Sequence, residues 1–284
     1  MDKEPDLKDI KLVDPSPEAL AEGHRNWINW LKTNQNNFSF WYPKLKNVLK
    51  TPKSLVITVP DDMLEKFFCE KKGDFEILES WISKDVMPQL QKEFPGSDKI
   101  FMKNGCFSNK FYFSASCLLE SIDSRTITEH LLSIEQAALC FDTCGDLELV
   151  FREWIEPEPG TPTIYGGMPL RPEMRVFYDF DRNKVLYDKF YWDWVYCFPH
   201  IEGTEDEQEY SETYPVIECD YLSKRSEVIK QLSEDLSKVE GMNGVWSIDI
   251  LMNNGEMWMI DAAIAQQSAY WDPEIYRLSF VDSN

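Results

Sequence analysis

Apolar residues recur every three or four positions in four stretches of this chain, and each predicts an amphipathic helix. In Pro17 to Leu31 the spaced positions are Leu20, Trp27, Ile28, Trp30 and Leu31, with Ser16 placed to cap the helix and Pro17 at its first turn. Phe75 to Phe94 carries Ile77, Leu78, Trp81, Ile82, Val86 and Leu90 at helical spacing. Thr126 to Phe141 repeats the pattern, as does Ser226 to Val239, which Gly241 stops.

Other stretches read as strands. Ser54 to Val59 is a short β-rich run ended by Pro60. Lys99 to Lys103 is a second strand, with Phe111 to Phe113 as its return after a turn at Asn104-Gly105. Leu147 to Ile155 is a strong strand closed by the breaker Pro157-Glu-Pro-Gly160. Met174 to Phe180 and Lys184 to Tyr191 flank Asp181-Arg-Asn183, which has turn chemistry. Ile201 to Tyr210 reads as an acidic loop. Val245 to Met252 and Glu256 to Ala262 form a hairpin across Asn253-Asn254-Gly255. Residues 1 to 15 are polar and predict an extended arm. The order describes an α+β chain of about three lobes, residues 1–95, 96–160 and 161–284.

Composition narrows the class. The chain has 284 residues, 43% hydrophobic and 14% aromatic, enough to bury a sizeable core. Its net charge of −21 (29 basic against 50 acidic residues) repels nucleic-acid phosphate. The start lacks a basic region followed by an apolar one, and no run approaches the roughly 18 apolar residues of a membrane span. Seven cysteines without a CxxC pair, and three histidines, argue against a zinc site and for reduced thiols in a cytoplasm.

Four groups of residues carry candidate chemistry. Lys103-Asn-Gly-Cys-Phe-Ser108-Asn-Lys110 makes a strand, a Gly turn and a loop whose N–H groups and two ammonium groups can lie over phosphates, although it lacks Walker A spacing. A plain hairpin with surface lysines is the bland alternative. In Leu149-Val-Phe-Arg152-Glu153-Trp154-Ile155 the apolar run enters a Pro/Gly connector, so its backbone can read a base edge. Arg152 there needs an anion, either a ligand or an internal carboxylate. Arg175 opens a strand where a guanidinium can grip phosphate or stand solvated. Asp249 and Asp261 sit mid-strand in the hairpin: facing carboxylates repel unless a cation such as Mg²⁺ lies between them, or each has its own Lys or Arg.

Lysines, hinge, arginine and carboxylates follow in the order found in the ATP-grasp superfamily, which this chain resembles from about Lys99 to Asp272. It looks most similar to the clade named for two arginines and one lysine, with the eukaryotic translation-initiation-factor assembly proteins as relatives. The residues that carry the likeness are Lys103, Phe107-Ser108-Asn109-Lys110, Leu149 to Trp154, and Glu173-Met174-Arg175. The resemblance implies an ATP-grasp fold, with the nucleotide between two α+β lobes (96–160 and 161–284) and an N-terminal α/β lobe before them. It implies that Lys103 contacts the α- and β-phosphates, that Ser108 and Lys110 lie in the loop over them, and that Arg152 joins this cationic set. Glu153, Trp154 and Ile155 would form the adenine hinge. Arg175 would reach the γ-phosphate, making Arg175 and Lys110 the catalytic pair, and Asp249 and Asp261 would bind Mg²⁺. One departure is plain: Asp261-Ala262-Ala263 stands where an acidic residue, a spacer and Asn are usual, leaving Gln266, Gln267 or Ser268 as substitutes. The implied activity is ATP-dependent carboxylate–amine ligation through an acyl-phosphate, on an unidentified small-molecule or peptide acceptor. The alternative is an ATP-binding assembly module with a protein partner.

Overall fold

The computed structural model describes residues 16–68, 71–141 and 146–279. The arm expected for residues 1 to 15 lies outside these, as do Cys69 and Cys144. The chain divides into two units, 1–34 and 35–284. The first holds helix α1 (Pro17–Thr33), where Ser16 Oγ accepts from the Ala19 N–H at 3.2 Å and Pro17 supplies the first turn.

The second unit contains, in order, α2 (Phe38–Leu45), β1 (Ser54–Thr58), α3 (Asp61–Leu64), α4 (Asp74–Trp81), α5 (Met87–Glu93), β2 (Ile100–Asn104), β3 (Leu118–Leu119), α6 (Ser124–Cys140) and β4 (Glu148–Glu153). There follow β5 (Thr163–Ile164), β6 (Met168–Pro169), β7 (Glu173–Asp179), β8 (Lys184–Phe190), α7 (Trp194–Ile201), α8 (Glu207–Leu236), β9 (Val245–Asn253), β10 (Glu256–Ile264) and α9 (Pro273–Leu278). No helix among the described residues is long and apolar enough to cross a membrane.

Two four-stranded antiparallel sheets organise this unit, an α+β architecture. The first runs β1-β4-β2-β3 and the second β10-β9-β7-β8. The strands read from alternating and apolar runs are present, except the one expected over Phe111 to Phe113. The β9–β10 turn has Asn254 and Gly255 at φ 52° and 72°, the two left-handed positions that an Asn-Gly pair fills at least cost. A continuous core joins Val150 of the first sheet to Val176, Tyr178, Trp246 and Ile248 of the second. Helix α2, which the apolar pattern did not predict, fills it with Phe38, Trp41, Tyr42 and Leu45, each burial contributing about 1.5–3 kcal/mol.

Four expectations are corrected. Phe111 to Phe113 is not a return strand: it lies in a 3₁₀ segment, Lys110–Ala115, and the return is β3, which pairs Leu119 with Ile100. Phe113 must turn inward to pack on Phe101 and Trp154, and the extended geometry cannot bring it there. The acidic loop expected over Ile201 to Tyr210 is shorter, residues 202–206, since α7 ends at Ile201 and α8 begins at Glu207. The helix read from Ser226 therefore starts nineteen residues earlier (226 − 207). Acidic residues and Pro215 disguise its first half, yet Tyr210, Tyr214, Ile217 and Tyr221 recur at helical spacing and face the core. The helix read as one piece over 75–94 is interrupted by a π-helical turn, Ile82–Val86, between α4 and α5.

Candidate functional site

Between the two sheets lies a cleft open to solvent. Lys103, Ser108, Lys110, Arg152, Glu153, Trp154, Ile155 and Asp261 line it, as do Phe101, Phe113, Met168, Arg171, Glu173 and Leu251. Thus residues from the lysine loop, the hinge strand and the carboxylate hairpin meet at one place. Arg175 and Asp249 form a pair beside it.

The first sheet supplies the cations. Lys103 is the fourth residue of β2, and its side chain is only 2% exposed. Its ammonium reaches Asp261 on β10, with Nζ donating to Oδ2 at 2.9 Å and to Oδ1 at 3.1 Å. Arg152 on β4 donates through Nε to Ser54 Oγ at 3.3 Å and through Nη1 to the Ile260 carbonyl, while its Nη2 is buried without a partner. Burial pushes this guanidinium down to about 10 against the pull of Asp261. A buried cation with a free donor is an anion site in waiting.

The loop between β2 and β3 is held by Asn104. Its Oδ1 accepts from the Cys106 N–H at 3.1 Å and the Phe107 N–H at 2.5 Å, and its Nδ2 donates to Glu135 at 2.9 Å. Gly105 has no room for a side chain, since a Cβ would meet Glu148 and Asp146 oxygens at 2.6–2.9 Å. The loop ends at Lys110, whose Nζ donates to Tyr191 Oη at 3.1 Å. Burial opposes its charge, but Tyr191, Glu173 and Asp249 outweigh that and hold it above the ordinary lysine range.

The second sheet supplies carboxylates. Asp249 and Asp261 are cross-strand partners on β9 and β10, so the expected pair exists. Each is occupied by a cation of its own chain: Arg175 grips Asp249 with two 2.7 Å bonds, and Lys103 grips Asp261. A register shift between Met259 and Asp261 leaves Ile260 as an extra residue, and its carbonyl turns to Arg152. Although burial opposes it, the charge of Lys103, with that of Arg152, keeps the Asp261 carboxyl below its usual range.

The Mg²⁺ expectation was tested on this donor set. Among the described residues no three His, Cys, Asp or Glu side chains cluster as a metal cage. Two facing carboxylates suit Mg²⁺ arriving with phosphate oxygens, the usual way this ion is held. The residues offered in place of the missing Asn are engaged elsewhere. Gln267 accepts from Asn36 Nδ2, Ser268 Oγ lies 2.5 Å from Ser247 Oγ, and Gln266 is exposed.

At the other end stands the hinge. The Glu153 carboxylate turns away to accept from the Lys53 N–H at 3.2 Å, so only its backbone can serve a ligand. The Ile155 carbonyl accepts from Arg171 Nη1 at 2.9 Å and keeps one lone pair. Trp154 Nε1 and Arg171 Nε are buried donors without partners. Glu173, 3% exposed, has a buried Oε2 likewise unpaired, and burial lifts its carboxyl above the usual range despite Lys110 and Arg171. From the sequence, Arg171 and Glu173 stand out only as neighbours of Arg175, and Tyr191 only within the aromatic run Tyr191-Trp-Asp-Trp194, read as core or as a partner or substrate platform. Alternation on β7 was the available signal, since Glu173 and Arg175 share a face.

No family model and no curated protein matches this sequence. Several solved structures do. Cdc123 from Schizosaccharomyces pombe is 17% identical over 90% of this chain and 92% of that one, with a TM-score of 0.45. D-alanine–D-alanine ligase from Helicobacter pylori is 8% identical over 86% of this chain and 56% of that one, at 0.39. A RimK domain ATP-grasp protein from Sphaerobacter thermophilus is 7% identical over 80% of this chain and 57% of that one, at 0.34. At these values the likeness assigns no activity to this chain.

Proposed function

We propose that this chain binds Mg-ATP in an ATP-grasp manner, with the triphosphate running from the hinge toward the Asp249–Asp261 pair. The observation that carries the reading is the cleft itself. Lys103 and Arg152 are buried cations of one sheet, one with an unpaired donor, and they converge on a carboxylate of the other sheet. Asp261 satisfies Lys103, and the buried Arg152 donor left without a partner is what a phosphate oxygen would fill.

In this reading the backbone of Glu153 to Ile155 and the ring of Trp154 take the base. The unpaired Glu173 oxygen accepts from a hydroxyl, and Lys103, Arg152 and Lys110 neutralise phosphate oxygens. Magnesium, when bound with the nucleotide, would shield charge between phosphate and the two aspartates. Arg175 orients Asp249 and, with Lys110, stabilises charge on a transferring phosphoryl group. The acceptor of an acyl-phosphate ligase would be a carboxylate, followed by an amine.

One observation favours the second reading, an ATP-binding assembly module without ligation. Ala263 offers no donor, and Gln267 and Ser268 are tied to Asn36 and Ser247. The test of nucleotide binding is thermal denaturation with Mg-ATP. Ligand at 100 times its dissociation constant adds about 2.7 kcal/mol, a shift of several degrees. An unmoved melting temperature at millimolar Mg-ATP sinks the reading. ADP release that depends on an added carboxylate would then separate ligase from module.

A further inference from the structure

Tyr191 does not line the cleft itself, but its side chain touches Lys110, which does, and Arg175 beside it, two cations from different segments. Its phenol oxygen accepts from Lys110 Nζ at 3.1 Å. Its ring centroid lies 4.5 Å from Lys110 Nζ and 5.2 Å from Arg175 Cζ. Lys110 belongs to the loop that follows β2, and Arg175 to β7. Two like charges brought toward one point repel, and an aromatic face between elements offsets that repulsion by its quadrupole.

The backbone of Tyr191 is fixed with unusual completeness. Its N–H donates to the Glu173 carbonyl at 3.0 Å, and its carbonyl accepts from Tyr270 Oη at 2.8 Å and Cys197 Sγ at 3.8 Å. Its ring meets buried Trp192 edge-on at 5.3 Å. Tyr270 in turn holds φ 67°, a left-handed conformation that costs a bulky residue energy and persists only where its surroundings impose it. The chain thus holds Tyr191 in one place from several sides.

We infer that Tyr191 is a positioning residue for the terminal phosphate, setting Lys110 and Arg175 at the spacing that one phosphoryl group requires. This rests on the nucleotide reading above. Lys110 has three donor protons. One stays on the Tyr191 oxygen, and the other two are left for phosphate oxygens. Arg175 keeps Nε and Nη2 on Asp249 and one Nη1 proton on the Ala269 carbonyl at 3.2 Å, and its Cζ lies 5.2 Å from the ring centroid of Tyr191. Tyr191 itself touches no reacting atom and acts through the two cations.

The test compares Mg-ATP with Mg-ADP, because only ATP carries the phosphate that Lys110 and Arg175 would share. Titration calorimetry on the full chain gives both affinities for the wild type, Tyr191→Phe and Tyr191→Ala. Tyr191→Phe keeps the ring and loses the hydrogen bond, so ATP affinity should fall about 3- to 10-fold. Tyr191→Ala loses the ring as well and should cost ATP about 10- to 100-fold. ADP affinity should stay within about twofold of wild type in Tyr191→Phe. A purely structural tyrosine would weaken ATP and ADP together, and that result overturns the inference, as does an unchanged ATP affinity in Tyr191→Phe. Should Tyr191→Ala not fold, the phenylalanine variant decides alone. A wild-type chain that binds neither nucleotide removes the nucleotide reading and this inference with it, whereas a wild type that binds both, with no selective loss in the variant, removes only the role of Tyr191.

Discussion

The two sheets that face the cleft handle charge in opposite ways. The first, β1-β4-β2-β3, sends Lys103 and Arg152 inward with bonds to spare, and Arg152 Nη2 has no partner at all. The second, β10-β9-β7-β8, sends a carboxylate pair inward with each member already matched to a cation. Burial explains the contrast. Asp249 and Arg175 are 6% and 13% exposed, and an unmatched charge at that depth is costly, so Arg175 neutralises Asp249 within the second sheet, while Asp261 takes its cation, Lys103, from the first. The first sheet spends Lys103 on Asp261 and keeps one unpaired donor, Arg152 Nη2. In the proposed reading one sheet serves stability and the other a ligand, and separate variants can part them.

The largest expected effect is on the matched side. Arg175→Leu leaves Asp249 charged, buried and alone, and should destabilise the chain by about 3–5 kcal/mol in urea unfolding. Arg175→Leu with Asp249→Leu removes both charges and should recover most of that loss, because well-packed apolar residues replace buried ion pairs at little cost. A double variant as unstable as the single one would mean that the second sheet needs the pair for its register, and the contrast between the sheets would fail.

Lys103→Met tests the other side. Asp261 is partly buried but 36% exposed, so when Lys103 is lost it keeps solvent and the Arg152 charge, and the stability cost should stay near or below about 1 kcal/mol. The Mg-ATP affinity should fall about 100-fold, the range for removing one member of a buried charge contact. Calorimetric titration beside urea unfolding separates the two numbers. Equal ATP binding by the variant and the wild type would show that the first sheet is not the phosphate side.

Much of this contrast was legible before any coordinates. Every strand of the two sheets except β3 followed from apolar runs, the β9–β10 turn from Asn254-Gly255, and eight cleft residues from an order of lysines, hinge and carboxylates. Partners were not legible. Nothing local tells Asp261 that Lys103, 158 residues away, will reach it, nor that Arg175 will settle on Asp249. Such pairings come from the register of β9 against β7 and β10, and from the extra residue Ile260. Helix α2 and the first half of α8 were hidden for a different reason. Aromatic residues there do the packing that aliphatic ones do elsewhere, while Pro43 and Pro215 mimic breaks. Tyr191 was hidden by both causes, as the last residue of an apolar run whose two cations come from distant segments.

The smallest effect sharpens the comparison through pH. Behind the lysine loop, Asp146 is 2% exposed and accepts from the Cys106 N–H at 2.6 Å and the Glu148 N–H at 2.9 Å. Burial, with the nearby Glu148 charge, pushes its carboxyl up to about 6. Its folded value exceeds its unfolded one, so the folded chain binds the proton more tightly, and the stability that this gives is full below about pH 4 and gone once pH has risen past about 6. The loss amounts to roughly 1–3 kcal/mol. Asp261 slopes the other way. Lys103 holds its carboxyl below the ordinary range, so its contribution is present above about pH 4 and lost as pH falls further. Urea unfolding from pH 3 to 8 should therefore show Asp146→Asn flattening the decline between pH 4 and 6, while Asp261→Asn flattens the rise below pH 4. If both variants change the same limb, the two sheets do not differ in how they compensate their acids, and the division between a ligand side and a stability side loses its physical basis.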